Sequence, residues 1–247
     1  MGLFDGLTKE GRQKAAIERA AKAVANKYAQ HEDRFAAMEK LRDAGTEEAI
    51  VALANRFSYV YDKAIQDEQE KEWAENALVG LGKVAIEPLR KHALTAQTLS
   101  YVMKVLGRIA DVPTMLTILD DLFAKEPPGY TRDPQRKIQI LTFVLEWEGA
   151  PPAEVSRRIA PYLTDFDENV RFNAIQVLES HRDAGAATAA VDALVRKEEE
   201  SRRIKNRLAE LIADGGWSLG ERAADVAAMG LTTVTVEGDK LVRAGAK

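Results

Sequence analysis

Residues 165–194, DFDENVRFNAIQVLESHRDAGAATAAVDAL, have the pattern of two short antiparallel helices joined by a tight turn. Apolar residues recur at helical spacing from about residue 168 to 180 and again from about 187 to 196. Asp165 or Asp167 can cap the first helix, because a side-chain oxygen pairs with amide groups that lack a partner inside the helix. Gly185 is expected to adopt the positive φ of a helix end. A hairpin this small cannot bury its apolar face alone, so the stretch predicts one unit of a stack.

The unit recurs imperfectly along the chain, and each copy is marked by a leucine shortly before a turn. The marker leucines are Leu41, Leu81, Leu106, Leu145, Leu178 and Leu211. In several copies the residue four positions earlier is alanine, which lets two helices approach closely; these are Ala37, Ala77 and Ala174. The sequence therefore predicts about six helix pairs that follow an N-terminal helix.

The best copy follows the pattern Asp-x-x-x-x-Val-Arg-x-x-Ala-x-x-x-Leu. Its residues are Asp165, Val170, Arg171, Ala174 and Leu178. This pattern resembles the HEAT repeat, most closely the short bacterial form that also occurs in phycobilin lyases, and residues 33–37 are a partial second copy. The resemblance covers about residues 32–228 and implies an all-α fold, a right-handed α-solenoid of antiparallel helix pairs. In such a solenoid the second helices line a concave face that commonly docks other macromolecules.

Three regions are predicted on this basis. Residues 1–31 form an N-terminal capping helix, residues 32–230 the HEAT-like solenoid, and residues 231–247 a C-terminal hairpin cap and tail. The segment 231–243, LTTVTVEGDKLVR, has β-branched alternation around a turn at 237–240, which is typical of a β-hairpin. Besides capping the last repeat, this hairpin could offer a strand edge to a partner.

The composition fits a helical array and excludes some chemistry. The chain has 247 residues, 46% of them apolar and 30% charged, and a formal net charge of −4. This charge does not favour a dedicated nucleic-acid surface. The absence of cysteine excludes disulfides, thiol catalysis and cysteine-ligated metals. No apolar run is long enough to span a membrane and the first residues do not match a secretion signal, so a cytoplasmic location is expected.

The N-terminal helix allows two interpretations. Residues 1–28 combine an apolar hook at Leu3, Phe4 and Leu7 with a helix that begins near Thr8. They are expected to seal the first repeat, because a terminal unit of a solenoid needs a polar outer face. The alternative is a peripheral contact with an anionic membrane, made by the basic side of the helix and the hook.

Two insertions interrupt the repeats, at residues 57–71 and 125–136. The first insertion, FSYVYDKAIQDEQEK, carries Tyr59 and Tyr61, and the second, KEPPGYTRDPQR, contains three prolines and a glycine. Both follow a second helix, so they are predicted to lie on one edge of the solenoid and to contact a partner there. The expected contacts are Tyr59, Tyr61, Tyr130, Arg132 and Arg136. The alternatives are that the first insertion lengthens a helix and packs its aromatic rings, and that the second is a tolerated loop.

Arg157 and Arg158 lie on a predicted second helix and complete the candidate partner-binding residues. The sequence offers no catalytic, metal or cofactor site. His31, His92 and His181 have no ligand spacing, and no nucleophile or phosphate-loop motif is complete. The predicted function is a non-enzymatic scaffold or adaptor that binds another protein through the concave helices and the insertion-bearing edge.

Two alternative functions remain open at this point. One is a DNA-binding or base-repair module, because alkylpurine DNA glycosylases are also built from HEAT-like repeats and present tryptophans and a carboxylate to flipped-out DNA. Here Trp73, Trp147 and Trp217 fall in separate repeats. The other is a lyase-like helper in chromophore attachment, for which the resemblance supplies no catalytic residue.

Overall fold

The computed structural model describes residues 8–245 as a mostly helical chain that ends in a small antiparallel β-hairpin. The helices and strands are α1 Lys9–Ala25, α2 His31–Ala44, α3 Glu47–Ala54, α4 Ala64–Leu81, α5 Ile86–Ala93, α6 Ser100–Ile109, α7 Val112–Lys125, α8 Gln135–Glu146, α9 Pro152–Ile159, α10 Glu168–Ser180, α11 Ala187–Val195, α12 Arg202–Gly215, α13 Ala223–Ala227, β1 Val234–Glu237 and β2 Lys240–Arg243. The predicted helical fold with a C-terminal hairpin is confirmed. The apolar hook at Leu3, Phe4 and Leu7 lies outside the described residues.

The chain forms two compact units that divide after Ile118, inside α7. Their described parts are residues 8–118, called here the N-terminal unit, and residues 119–245, called the C-terminal unit. This division cuts through the region predicted as one array of repeats, and the predicted three-part organisation stays a prediction.

In the N-terminal unit, α1 packs against the first helix pair. Thr8 caps α1 by accepting a hydrogen bond of 3.0 Å from the Gly11 amide, which confirms the predicted start of this helix. The helix then contacts both α2 and α3. Farther along the unit, α2 contacts α4, α4 contacts α6, and α3 contacts α5, so first helices meet first helices and second helices meet second helices.

The C-terminal unit contains the stretch from which the repeat was predicted. The observed α10 matches the predicted range, and Asp167 is its cap, accepting bonds from the amides of Asn169 at 2.8 Å and Val170 at 3.1 Å. Here too the first helices are neighbours, because α8 contacts α10 and α10 contacts α12.

The turn of this repeat differs from the prediction at Gly185. Its φ is not positive; the residue lies in a 3-10 turn, Ala184–Ala186, and donates its amide to the Asp183 carboxylate at 2.8 Å. A β-carbon at this position would lie 2.9 Å from the same carboxylate oxygen. Glycine here allows the close approach of Asp183 and does not serve a left-handed backbone.

The hairpin forms as predicted and packs on α12. Its register pairs Glu237 with Lys240, and Gly238 in the turn has a φ of 65°. Val234 and Leu241 are buried, while the Arg243 guanidinium binds Asp214 of α12 at 2.8 Å and 2.9 Å. These contacts are those of a cap on the last helix pair.

Four of the six marker leucines are buried in the core, but the other two are not the residues that their helices bury. Leu41, Leu106, Leu178 and Leu211 are buried. Leu81 and Leu145 are only partly buried, and their helices bury Leu78 and Val144 instead. The apolar stripes of α4 and α8 are rotated relative to the predicted register, which the degenerate repeat could not reveal.

Candidate functional site

The second insertion is anchored to the connector before α10 by a buried ion pair. Lys137, in the first turns of α8, places its Nζ atom 2.8 Å from Oδ2 of Asp165, and both side chains are almost fully buried. Between these charges lies Gly129, whose carbonyl accepts from Lys137 at 2.7 Å and whose amide donates to Asp165 at 2.9 Å. Gly129 has a φ of 117°, a conformation that side-chain-bearing residues rarely adopt, so glycine allows the loop to enter this site.

A second set of contacts fixes the beginning of the same loop. The Tyr162 hydroxyl donates to the carbonyl of Glu126 at 2.6 Å, and Arg136 Nε donates to the Glu126 carboxylate, also at 2.6 Å. Burial raises the pKa of Tyr162, and the nearby carboxylates act in the same direction, so the hydroxyl stays a donor. The insertion is thus an ordered loop with both ends attached to the C-terminal unit.

The anchored loop presents an exposed pair of aromatic rings. Tyr130 and Phe166 are in contact, with ring centroids 5.2 Å apart and planes at 86°, yet their exposed fractions are 75% and 70%. Arg132, two residues beyond Tyr130, is also exposed. We call Tyr130, Phe166 and Arg132 the aromatic edge. Phe166 was missed from the sequence, although an aromatic residue between the capping residues Asp165 and Asp167 is a recognisable signal.

The predicted residues of the second insertion therefore have different roles. Tyr130 and Arg132 are exposed as expected. Arg136 was predicted as an exposed contact, but its side chain is mostly buried in the ion pair with Glu126. Arg136 therefore holds the loop in place and does not offer its guanidinium to a partner.

The first insertion contains the main correction to the predicted partner surface. Tyr61 is buried; its hydroxyl donates to the carbonyl of Val24 in α1, and its ring lies between the guanidinium groups of Arg34 and Arg56. It cannot supply contact area to a partner. Tyr59 is partly exposed, and its carbonyl accepts from Arg56 at 2.9 Å.

Phe57 and Tyr61 of the first insertion pack inside the N-terminal unit, as the alternative interpretation predicted. The insertion does not lengthen the second helix, however, because α3 ends at Ala54 and residues 64–71 already belong to α4. The edge that this insertion was predicted to share with the second one stays a prediction.

The guanidinium groups on Tyr61 belong to a buried ionic cluster centred on Glu70 of α4. The Glu70 carboxylate accepts from Arg34 at 2.8 Å and from Arg56 at 2.8 Å, and its Oε1 lies 2.7 Å from Nδ1 of His31. Arg56 also binds Asp67 at 2.6 Å. The cluster joins α2, α4 and the 3-10 turn after α3, and its role is structural.

The ionic cluster around Glu70 is expected to make the folded protein less stable in acid. Burial alone would raise the pKa of Glu70, but the hydrogen bonds from Arg34, His31 and Arg56 outweigh it, and the pKa is lowered. The pKa of Asp67 is lowered in the same way by Lys71 and Arg56. A carboxyl group with a lowered folded-state pKa stabilises the fold above its unfolded pKa, and this contribution is lost as the pH falls through the folded pKa.

We expect the urea midpoint of the protein to fall as the pH is lowered from 5 toward 3. The Glu70→Gln variant should show a shallower decrease, and equal slopes would contradict the role of Glu70.

A groove lies between the second helices α9 and α11 of the C-terminal unit. It is an open depression of about 630 Å³, lined by Ala153, Arg157, Ala160, Pro161, Thr164, Asp183, Gly185, Ala189 and Asp192. Arg157, predicted as a partner contact, is exposed on one wall, where its guanidinium donates to the Glu154 carboxylate at 2.9 Å. Arg158 is not available in the same way, because its guanidinium forms two bonds to Asp120, at 2.7 Å and 2.8 Å, and one to Glu154 at 2.6 Å.

Within residues 8–245 there is no group of three or more histidine, aspartate or glutamate side chains that could hold a metal ion. No helix in the same range is both long and apolar enough to cross a bilayer. Comparisons with protein-family models, curated proteins and solved structures gave no match.

Proposed function

We propose that this protein is a HEAT-like α-solenoid that acts as a non-enzymatic scaffold or adaptor, binding another protein through the aromatic edge. The observation that carries the proposal is the contacting pair Tyr130 and Phe166, whose rings stay 75% and 70% exposed on an anchored loop. Single exposed apolar residues are normal, whereas contiguous exposed apolar patches mark interaction sites, and aromatic residues are enriched in protein interfaces.

The anchoring of the loop strengthens the proposal. A partner that binds a mobile loop must order its side chains, which opposes binding by about 0.5 to 1.5 kcal/mol for each rotamer-rich side chain. Here Lys137 and Asp165 hold the loop through Gly129 before any partner arrives. The two rings are therefore preorganised for binding.

The proposed solenoid arrangement is supported by the neighbour relations inside each unit. The first helices follow one another as α2, α4 and α6 in one unit and as α8, α10 and α12 in the other. Repeat arrays place each unit against its neighbours in this order. The groove between α9 and α11, with two aspartates against one arginine, offers little to neutralise phosphates, which favours a protein partner over the DNA-repair alternative.

Replacing both rings should strongly weaken partner binding without unfolding the protein. We expect Tyr130→Ala combined with Phe166→Ala to weaken binding at least tenfold, since one hot-spot aromatic contributes about 2 kcal/mol or more. Because both side chains are exposed, the unfolding midpoint should change little. The measurement compares proteins captured from nuclease-treated lysate by the wild-type and variant chains, with their amounts quantified by mass spectrometry.

The matched control is Tyr28→Ala, which removes a tyrosine that is 81% exposed in the other unit. A protein retained by the control and lost by the double variant supports the proposed function. Equal capture by all three chains would contradict it, and so would capture that occurs only in a parallel lysate without nuclease.

A further inference from the structure

The α9–α11 groove has an ordered pattern of charge along its walls. Asp183 lies at the turn before α11, and Asp192 lies in the last turns of that helix. Arg157 stands on the α9 wall, one turn beyond Ala153 and one turn before Pro161. Since α9 contacts the 3-10 turn before α11, and α11 contacts the 3-10 turn after α9, the two walls run in the same direction. Along the groove the charges are therefore negative, positive and negative.

The two carboxylates are freer to bind a ligand than Arg157, whose guanidinium already donates to the partly exposed Glu154 carboxylate at 2.9 Å and would exchange that partner for an acidic group of the ligand. Asp192 is exposed and forms no ion pair or side-chain hydrogen bond with any residue between 8 and 245. It is left free although Arg196 lies one turn away, because Arg196 binds Glu198 and the carbonyl of Thr164. Asp183 uses one oxygen, Oδ1, for the Gly185 amide. Both carboxylates can therefore accept bonds from a cationic group in the groove.

Small residues make up much of the groove lining. The distance between the two carboxylates favours an extended ligand over a helical one. Ala153, Ala160, Gly185 and Ala189 project little side chain, so another backbone can come close. Asp183 and Asp192 are nine residues apart, separated by the 3-10 turn Ala184–Ala186 and the first residues of α11. With a rise of about 2.0 Å per residue in a 3-10 turn and about 1.5 Å in an α-helix, they lie roughly 15 Å apart. An extended segment covers that distance in about four residues and turns alternate side chains to one side. In a helical ligand, two positions about nine or ten residues apart would lie on different faces.

We propose that the α9–α11 groove binds an extended peptide segment in which two lysine or arginine residues are four positions apart and an acidic residue lies midway. The basic groups bind Asp183 and Asp192, and the acidic group binds Arg157. This inference rests on the proposed function, because it gives the chemistry of a protein segment that the scaffold would bind. It places that segment at a site separate from the aromatic edge.

A titration of the full chain with synthetic peptides tests the groove directly. The probe is Gly-Lys-Ala-Glu-Ala-Lys-Gly with blocked termini, and its control is the charge-reversed Gly-Glu-Ala-Lys-Ala-Glu-Gly. Backbone amide NMR shifts are followed for both. The expected result is a saturable change confined to residues 153–164 and 183–192 with the probe alone. No change at millimolar probe, or equal changes with the reversed peptide, would overturn the proposal.

Two conservative substitutions test the assigned charges. Asp183→Asn with Asp192→Asn removes both negative charges, while the side-chain amide oxygen introduced at position 183 still accepts the hydrogen bond from the Gly185 amide. Since an exposed ion pair changes binding by a few-fold, the double variant should bind the probe about five- to tenfold more weakly. Unchanged affinity would overturn the assignment. Groove shifts that depend on protein concentration without peptide would assign the groove to a second copy and also overturn it.

The aromatic-edge variant separates the two proposals. Tyr130→Ala with Phe166→Ala should leave the peptide titration unchanged while it removes the captured partner. Loss of the peptide response in this variant would contradict a separate groove site. A normal peptide response together with unaffected partner capture would contradict the proposed function and leave the groove site supported.

Discussion

Replacing Glu70 by glutamine is expected to lower the free energy of unfolding of the N-terminal unit by about 3 to 5 kcal/mol, the range for breaking a buried ion pair on one side. The substitution keeps the shape of the side chain but removes the negative charge that Arg34 and Arg56 share. Both guanidinium groups are buried, so neither can recover its solvation without opening the unit. Urea unfolding followed by circular dichroism at 222 nm measures the change.

Glu72→Gln is the matched control for this prediction, because Glu72 lies two residues away on the same helix and is exposed. Surface substitutions of this kind usually change stability by less than about 0.5 kcal/mol. If both variants unfolded at the same urea concentration, the ionic cluster would not be the structural centre of the unit.

Replacing Lys137 by methionine should destabilise the C-terminal unit by a similar amount, about 3 to 5 kcal/mol. Methionine keeps most of the side-chain volume but leaves the buried Asp165 carboxylate, among residues 8–245, with the amides of Gly129 and Asp167 as its remaining partners. The Gly129 carbonyl loses its donor at the same time. We therefore expect both a lower urea midpoint and weaker partner capture, because Tyr130 follows Gly129 directly.

Lys125→Met provides the comparison, since Lys125 is an exposed lysine at the end of α7, just before the same loop. It should leave stability and capture near the wild-type values. Wild-type capture by a destabilised Lys137→Met variant would show that the ion pair supports the fold but does not position the aromatic edge.

Several local features could be predicted because they depend on nearby residues. The range of α10, the start of α1 at a threonine cap and the hairpin turn at residues 237–240 follow from helical spacing, capping oxygens and β-branched alternation. Each of these signals acts within a few residues of the backbone groups it satisfies. The exposure of Tyr130 and Arg132 was also predicted, because a proline-rich segment cannot continue a helix.

The burial of individual charged and aromatic residues could not be predicted in the same way. Tyr61 and Tyr130 both stand in insertions between repeats, yet one lies between two guanidinium groups and the other is exposed. Arg157 and Arg158 are adjacent in sequence, but only Arg158 is oriented toward Asp120. The hydrogen-bond acceptor of the Tyr61 hydroxyl is 37 residues away and the Asp120 partner of Arg158 is 38 residues away, beyond any local pattern.

The amino-acid sequence by itself determined that this protein is a chain of short amphipathic helix pairs closed by a hairpin, because helical periodicity and turn residues act locally. Tertiary structure decided which charges became buried clusters, that Tyr61 is buried, and that Phe166 contacts Tyr130 on the surface. Lys137 and Asp165 meet only when α8 and the connector before α10 pack together, and their ion pair then holds Gly129 and presents Tyr130. The candidate partner site depends on that long-range contact, because Lys137 and Asp165 bind the carbonyl and the amide of Gly129 from outside the loop.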